Sequence, residues 1–455
     1  MLTLAENGLL TQTGPDAPMG QYFRQFMQPI ALSRELPEPD CPPIRLTILG
    51  ESLIAFRDSL GRVGLVEPTC PHRGADLFYG RNEECGLRCI YHGWKFDIDG
   101  KAVDLPNVPP GSSYHETMRI RAYPTAEFGE IVWAYLGPAL QGERSMPAVP
   151  QLEFGLLPDS HRYVTKRLQQ CNWAQSIEGA LDTAHFSFLH MPAPSVASNE
   201  NPDAPADARR LRWIREDPMP RFSIIEHDVG FVVGAARHAD ANDLYWRITQ
   251  FMLPAHSSTP STLPGENHFG YTWVPIDNES CWIYTYAWNP VRPITMQERE
   301  KLEQGHGVVG EVGLDFRPIR NRANHYLLDR REQRHHSFTG VRGLAEQDAM
   351  VQDSQGLIAD RTREHLTATD AAIVRFRRAV MGGARALQAG QPPAAADKPE
   401  AYRLRSGSWV AAEGVPFETV MQERFGDPVG KAPATRDRFA TQASVPSSTV
   451  QSPSE

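Results

Sequence analysis

No stretch of the 455 residues stays apolar for the roughly 18 residues that a membrane-spanning helix needs, so none is expected. Basic charge is also in short supply. Lys and Arg number 46 against 55 Asp and Glu, a net charge of −9, which disfavours nucleic acid as a partner because its recognition needs a concentrated basic surface. The basic runs that do occur, Arg317 to His336 and Arg375 to Arg378, alternate with apolar residues. They read first as solvated helix faces and second as a docking surface for an acidic partner. Met1 to Leu10 lacks the basic start and apolar run of a secretory signal. Cysteine is scarce: Cys41, Cys70, Cys85, Cys89, Cys171 and Cys281 show no disulfide spacing, so a reducing, cytoplasmic setting is expected. Internal repeats are absent. A hydrophobic content of 41% and a charged content of 22% are ordinary for a globular protein, and the length suits two domains, each with its own core.

Against this background one pattern stands out. Cys70-Pro-His72 and Cys89-Ile-Tyr-His92 make two short loops, each offering one thiolate and one imidazole, in the spacing C-x-H-x16-C-x2-H. Two thiolates suit one iron of a [2Fe–2S] cluster and two imidazoles suit the other, which is a Rieske centre. Exchanging thiolate for imidazole removes negative charge and raises the reduction potential into the range of roughly −150 to +300 mV. Such a centre accepts electrons from an NADH-fed donor and passes them on singly. Arg73-Gly74 and Gly93-Trp94 follow the histidines, where the backbone must fold tightly around the sulfurs. The rival is a structural Cys2His2 zinc site, but zinc fingers bring a cysteine pair and then a histidine pair.

Around the motif, residues 1–41 read as a segment wrapping the first domain, and residues 42–140 as a small antiparallel β domain carrying the cluster at one end. Ile44 to Leu49, Leu53 to Phe56, Val63 to Val66, Lys95 to Ile98 and Glu130 to Leu136 are its strands, with Asp99-Gly100 as a hairpin turn. A Pro-rich connector, Pro138 to Pro158, leads to a second, α+β domain over residues 150–385. Its elements are a helical stretch from Cys171 to His190, a polar loop from Met191 to about Asp207, and strands Phe222 to Arg237 (a hairpin), Leu244 to Leu253, His268 to Pro275 and Cys281 to Trp288. A helical region from Thr295 and a long helix from Leu344 to Met381 complete it. Residues 386–455 form an extension, Pro-, Ser- and Thr-rich and disordered after about Val429.

Asp182-Thr-Ala-His185-Phe-Ser-Phe-Leu-His190 is a second constellation. Histidines five apart fall about 140° from each other on a regular α-helix, so they share a metal only if the helix breaks or carries a π-type distortion. Asp182 would then orient His185 from behind. Taken alone, the stretch reads first as a core helix with buried histidines. Beside a Rieske cluster, two histidines plus a carboxylate make the facial triad of non-haem Fe(II) oxygenases. Asp348, Asp353 and Asp360 are carboxylates on the predicted long helix. Asp348 shares a face with Val351, Gln352 and Gln355, from which Asp353 points about 140° away, so Asp348 is preferred.

With these residues in view, the chain resembles the oxygenase (α) components of Rieske non-haem iron aromatic ring-hydroxylating enzymes over nearly its whole length. Within them it resembles most the phthalate 4,5-dioxygenase group. The likeness rests on Cys70 to Gly74, Cys89 to Trp94, Asn172-Trp173 through Glu178 and Asp182 to His190, Asp329-Arg330, Gln333-Arg334, Phe338 to Gly340, and Gln355-Gly356 through His365. It implies a Rieske domain joined to a helix-grip domain whose curved antiparallel sheet and long helix enclose the iron. It also implies a trimer or hexamer in which Asp182 bridges His185 to His92 of a neighbouring subunit, with Asn172 near the iron. Asp348, in Glu346-Gln-Asp348, matches the third ligand. Gly179 departs from the pattern, since better-known members carry Asn or Phe there. The implied reaction uses O2 and electrons relayed from NADH by a separate reductase, on an aromatic acid. An anionic substrate needs a cation in the pocket, and Arg237 or Arg247 would pair its carboxylate, although each alone reads first as a surface residue of an antiparallel strand. A monooxygenase or O-demethylase would use the same metals. A pure electron carrier would need only the first domain.

Overall fold

The computed structural model describes residues 1–138, 146–193, 206–260 and 265–432. Two small antiparallel sheets build the cluster domain. One runs in the order β2 (Ile44–Ile48), β3 (Glu51–Arg57), β4 (Val63–Val66), β9 (Ala122–Tyr123); the other is β5 (Arg81–Glu83), β6 (Gly86–Arg88), β7 (Lys95–Phe96), β8 (Ala102–Asp104). Ile54, Phe56, Val66, Leu87, Trp94 and Phe96 fill the core that also receives Cys70 and Cys89. A third sheet sets β11 (Ile131–Tyr135) between β1 (Met27–Leu32) and β10 (Thr125–Phe128), and it packs β1 on the second domain.

The second domain is an open eight-stranded antiparallel sheet. Its order is β12 (Arg162–Gln169), β18 (Cys281–Trp288), β17 (His268–Pro275), β16 (His256–Thr259), β15 (Asp243–Met252), β14 (Gly230–His238), β13 (Arg221–His227), with β19 (Gly407–Ala412) also paired to β15. Helices Trp173–Leu181 and Ala371–Gln388 pack on this sheet, and helix Leu344–Ser354 packs on Trp173–Leu181. Phe376 joins the last helix to Phe251 of β15 at 5.2 Å and to Trp173 at 5.7 Å between ring centres. Burying three aromatic side chains this way contributes several kcal/mol and ties the helices to one face of the sheet.

Several expectations are corrected. The single helix from Leu344 to Met381 is two helices, Leu344–Ser354 and Ala371–Gln388. Gly356, at φ +97°, takes a left-handed conformation that stops the first, and Asp360 lies in the intervening loop, where it accepts from the Thr362 N–H. The N-terminal residues do not simply wrap the first domain. Helices Leu4–Thr11 and Pro18–Phe23 pack on Ala371–Gln388 of the second, and β1 enters a sheet of its own. Residues beyond 386 are not merely an extension, because β19 closes onto β15 and helix Phe417–Phe425 buries Phe417, Val420 and Met421 beneath it. The expected tail disorder, most of the polar loop after Met191 and the middle of the Pro-rich connector lie outside the described residues. No helix among the described residues is long and apolar enough to cross a membrane.

Candidate metal centres

The two cluster loops are built alike. Cys70 N–H bonds Ala75 O at 2.8 Å and Gly74 N–H bonds Cys70 O at 2.9 Å; Cys89 N–H bonds Trp94 O at 2.8 Å and Gly93 N–H bonds Cys89 O at 3.0 Å. Each loop therefore closes through a glycine four residues after its cysteine, at φ +75° and +78°, a region glycine enters without strain. The closure turns Cys70 and Cys89 inward, where burial, with each thiol beside the other, pushes Cys70 up to about 11. Two adjacent protonated thiols in an apolar core invite a metal that takes them as thiolates. The rings of His72 and His92 sit edge to face at 4.3 Å, and Trp94 stacks on His72 at 4.6 Å. Nδ1 of His72 is buried without a hydrogen-bond partner, as a ligand atom awaiting its metal would be. Burial, then the His72 and Arg73 charges, hold His92 below its ordinary value, in the neutral form that ligates.

Zinc fits less well. Among the described residues, the one group of three or more whose ligand atoms all lie within 4.8 Å of each other is His185, His190 and Asp348. Cys70, His72, Cys89 and His92 do not form such a group, and two thiolates with two imidazoles suit the two irons of a cluster.

The second site forms because the helix breaks. Trp173–Leu181 ends at Asp182, and a short 3-10 turn, His185–Ser187, carries the chain on to His190. Nε2 of His185 and Nε2 of His190 then face each other at 3.1 Å, and Asp348 Oδ1 lies 3.3 Å from His190 Nε2 and 3.6 Å from His185 Nε2. Ligands about 2.1 Å from one ion at right angles stand roughly 3 Å apart, so the three atoms fit one metal on one face. Asp182 Oδ1 accepts from Ala184 N–H at 2.7 Å and His185 N–H at 3.3 Å, while its Oδ2 lies 3.7 Å from His185 Nδ1. Burial opposes charge here, but the His190 and His185 rings hold Asp348 below the ordinary carboxylate value, and the His185 contacts do the same for Asp182.

The geometry also sorts the remaining candidates. Asp353 faces away: its carboxylate accepts from Tyr326 Oη and Gln169 Nε2, so it is already satisfied. Asn172 is a correction. Its Oδ1 caps the helix through Ala174 N–H at 3.0 Å, and its Nδ2 donates to Thr11 O and Asn278 O at 2.9 and 2.7 Å, so it starts the helix rather than serving the metal. Arg237 is consumed by Asp217 O and by Thr183. Arg247 instead lies over the ring of Phe186 at 4.0 Å, and Phe186 packs on His190 at 4.7 Å. Sequence reasoning missed Gln347, whose Oε1 lies 2.7 Å from His190 Nδ1, and Arg210, whose charge acts with burial to hold Arg247 below its ordinary value. Only the adjacency of Gln347 to Asp348 hinted at the first, and nothing pointed to the second.

A cluster domain feeding a domain that holds two histidines and a carboxylate on one face defines an oxygenase with a [2Fe–2S] centre and a mononuclear iron. The chain belongs to the Rieske non-haem iron ring-hydroxylating oxygenases. The Rieske [2Fe-2S] domain model matches residues 26–124, and the "LigXa C-terminal domain like" model matches residues 134–412. The phthalate 4,5-dioxygenase oxygenase subunit of Pseudomonas putida is 38% identical over 86% of this chain and 88% of its own length. The 3-chlorobenzoate-3,4-dioxygenase oxygenase subunit of Comamonas testosteroni is 32% identical over 93% and 99%. Among solved structures, dicamba monooxygenase bound to dicamba shares the fold at a TM-score of 0.54 and 18% identity, covering 82% of this chain and all of the other.

Proposed function

We propose that the protein is the oxygenase component of an aromatic-ring dioxygenase acting on an aromatic carboxylic acid, such as a phthalate- or benzoate-like compound. When bound, the cluster supplies single electrons and the mononuclear iron activates O2; the chain positions and encloses. The observation that carries the substrate class is the pair Arg247 and Arg210. Arg247 is 4% exposed, on the sheet face that turns toward the helices, and its Nε is buried without a partner, as is Nη1 of Arg210. No carboxylate among the described residues pairs with either. A buried guanidinium with a second one beside it, and no carboxylate partner for either among the described residues, is costly unless an anion joins them. A substrate carboxylate held there is bonded by charge-assisted donors behind Phe186, whose ring separates it from the two histidines.

The test is Arg247→Met. Losing charge-assisted hydrogen bonds worth about 1.5–3 kcal/mol raises KM for aromatic acids roughly 10- to 100-fold, with both metal centres retained. Unchanged KM would remove the acid from the reading. A monooxygenase or O-demethylase is the second reading, supported by the 28% identity to the 5,5'-dehydrodivanillate O-demethylase oxygenase subunit of Sphingobium. Product formed under labelled O2 separates the two, since a cis-diol keeps both atoms.

The same reading assigns the supply of electrons to a separate NADH-dependent reductase, and the assembly to a homotrimer or hexamer. Asp182 lines a wide groove, open to receive the His72–His92 edge of another subunit. The four cysteines outside the cluster loops form no disulfide, which suits a reducing, cytoplasmic setting.

A further inference from the structure

Two cavities meet at the His185–Asp348 site. One is a small pocket of about 50 Å³ between the sheet and helix Leu344–Ser354, reached by Phe186, Tyr271 and Trp273. The other is the groove of about 660 Å³ that contains Asp182. Four residues line both: Gly179, His185, Asp348 and Gln352. The wall between the cavities thus consists of two candidate ligands and one interlocked pair.

That pair is in close contact. A Cβ added at Gly179 would lie 2.3 Å from Nε2 of Gln352 and 3.2 Å from its Cδ, so the carboxamide fills the place of any side chain at 179. Its orientation is set by hydrogen-bond logic. Trp273 Nε1 can only donate, and it donates to Ser176 Oγ at 2.9 Å; the Ser176 hydroxyl then donates to Gln352 Oε1 at 3.1 Å. The Nε2 end must therefore face Gly179. Gln352 is 5% exposed and stands one helical turn after Asp348, so the same helix delivers ligand and wall.

We infer that Gln352, seated over Gly179, is a positioning residue that seals the oxygen-activating cavity from the groove. The inference rests on the oxygenase reading above. Without a seal, water from the groove reaches the site as a proton source. O2 then takes two electrons drawn from NADH through the reductase and two protons relayed from bulk solvent through that water, leaves as hydrogen peroxide, and the aromatic acid departs unchanged. Filling the wall with a neutral side chain of the right shape prevents this without adding a charge beside Asp348.

The experiment compares Gln352→Ala, Gln352→Met, Gly179→Ala and the double variant Gly179→Ala/Gln352→Ala. Peroxide formed per NADH consumed should rise at least threefold in Gln352→Ala and in Gly179→Ala, and stay near the parent value in Gln352→Met, which keeps the shape. In the double variant the two effects should not add. Iron release from resting, anaerobic enzyme to a ferrous chelator gives a readout free of turnover, and should follow the same order. Tight coupling and unaltered chelation in Gln352→Ala would overturn the seal. Leakage in Gln352→Met equal to that in Gln352→Ala would also overturn it, by giving the role to the amide donor. Parent enzyme that releases no iron beyond its cluster would sink the oxygenase reading itself, before any variant is compared.

Discussion

Oε1 of Gln347 lies 2.7 Å from Nδ1 of His190, so the helix that brings Asp348 also orients the second histidine. The amide oxygen accepts, which places the proton on Nδ1 and leaves Nε2 free toward Asp348 and His185. Gln347 is held in turn by donating to Val341 O at 2.8 Å. Gln347→Ala should weaken mononuclear iron binding about 10- to 100-fold, the usual cost of losing such a partner. Iron titration of the metal-depleted protein measures it, and affinity equal to the parent's would show that packing alone orients His190.

The cluster makes a separate prediction. Purified protein should be red-brown, contain acid-labile sulfide, carry more iron than sulfide, and give a reduced spectrum with a low average g value. His72→Cys puts a thiolate in place of an imidazole, so the potential should fall toward the roughly −400 mV of all-thiolate clusters. Colourless protein with stoichiometric zinc would refute the assignment.

Acid stability has an identifiable source. Glu178 is buried, which alone would raise its value, but Arg361 at 3.0 Å and Arg377 at 2.7 Å hold it below the ordinary 4.5. A depressed carboxylate contributes stability that is fully present above pH 4.5 and is lost as the pH falls through the folded-state value. Glu178→Gln should therefore flatten the acid limb of the stability curve below that pH. At neutral pH the variant loses about 3–5 kcal/mol, because two buried guanidinium groups lose a partner. Chemical denaturation at several pH values checks both effects.

Much of this was legible beforehand because it is local. The strands after Phe222 alternate, the cluster loops carry their ligands within a few residues, and the five-residue histidine spacing lets the two rings share a metal only where the helix is broken or distorted. What escaped is stabilised from a distance. Strand β12 reads as charged, yet Lys166 is buried because Glu35 meets it at 2.7 Å, and Arg162 because Glu130 and Asp159 do. Strand β1 carries Pro29 and exists only because β11, about a hundred residues later, supplies its partners. Asn172 was misplaced since a cap and a ligand look alike in a string of letters. Arg210 gave no signal and Gln347 only its place beside Asp348, for the complementary reason: their roles are set by neighbours far away in the chain.

Asp182 supplies a test of assembly. Its carboxylate touches His185 and faces the groove, so Asp182→Asn should leave both metals bound while slowing electron transfer between them. Single-turnover oxidation of the reduced cluster in the presence of substrate and O2 reads that rate. Transfer as fast as in the parent would reduce Asp182 to a helix terminus.

The two aspartates on helix Leu344–Ser354 provide the sharpest separation. Asp348 Oδ1 reaches both histidines, at 3.3 and 3.6 Å, and is the only anion in the triad. Asp348→Ala removes that anion from a dication held otherwise by two neutral rings, so mononuclear iron should be lost and oxygenation abolished. The cluster has its own four ligands in another domain, so the red colour should persist. Asp353, five residues on, is occupied by Tyr326 and Gln169. Asp353→Ala strands those buried donors, and the cost should appear as about 1–3 kcal/mol of stability per unsatisfied group, with iron retained. Paired measurements of iron content and denaturation midpoint distinguish the two variants. The reverse pattern, iron lost with Asp353 and kept without Asp348, would transfer the ligand role down the helix.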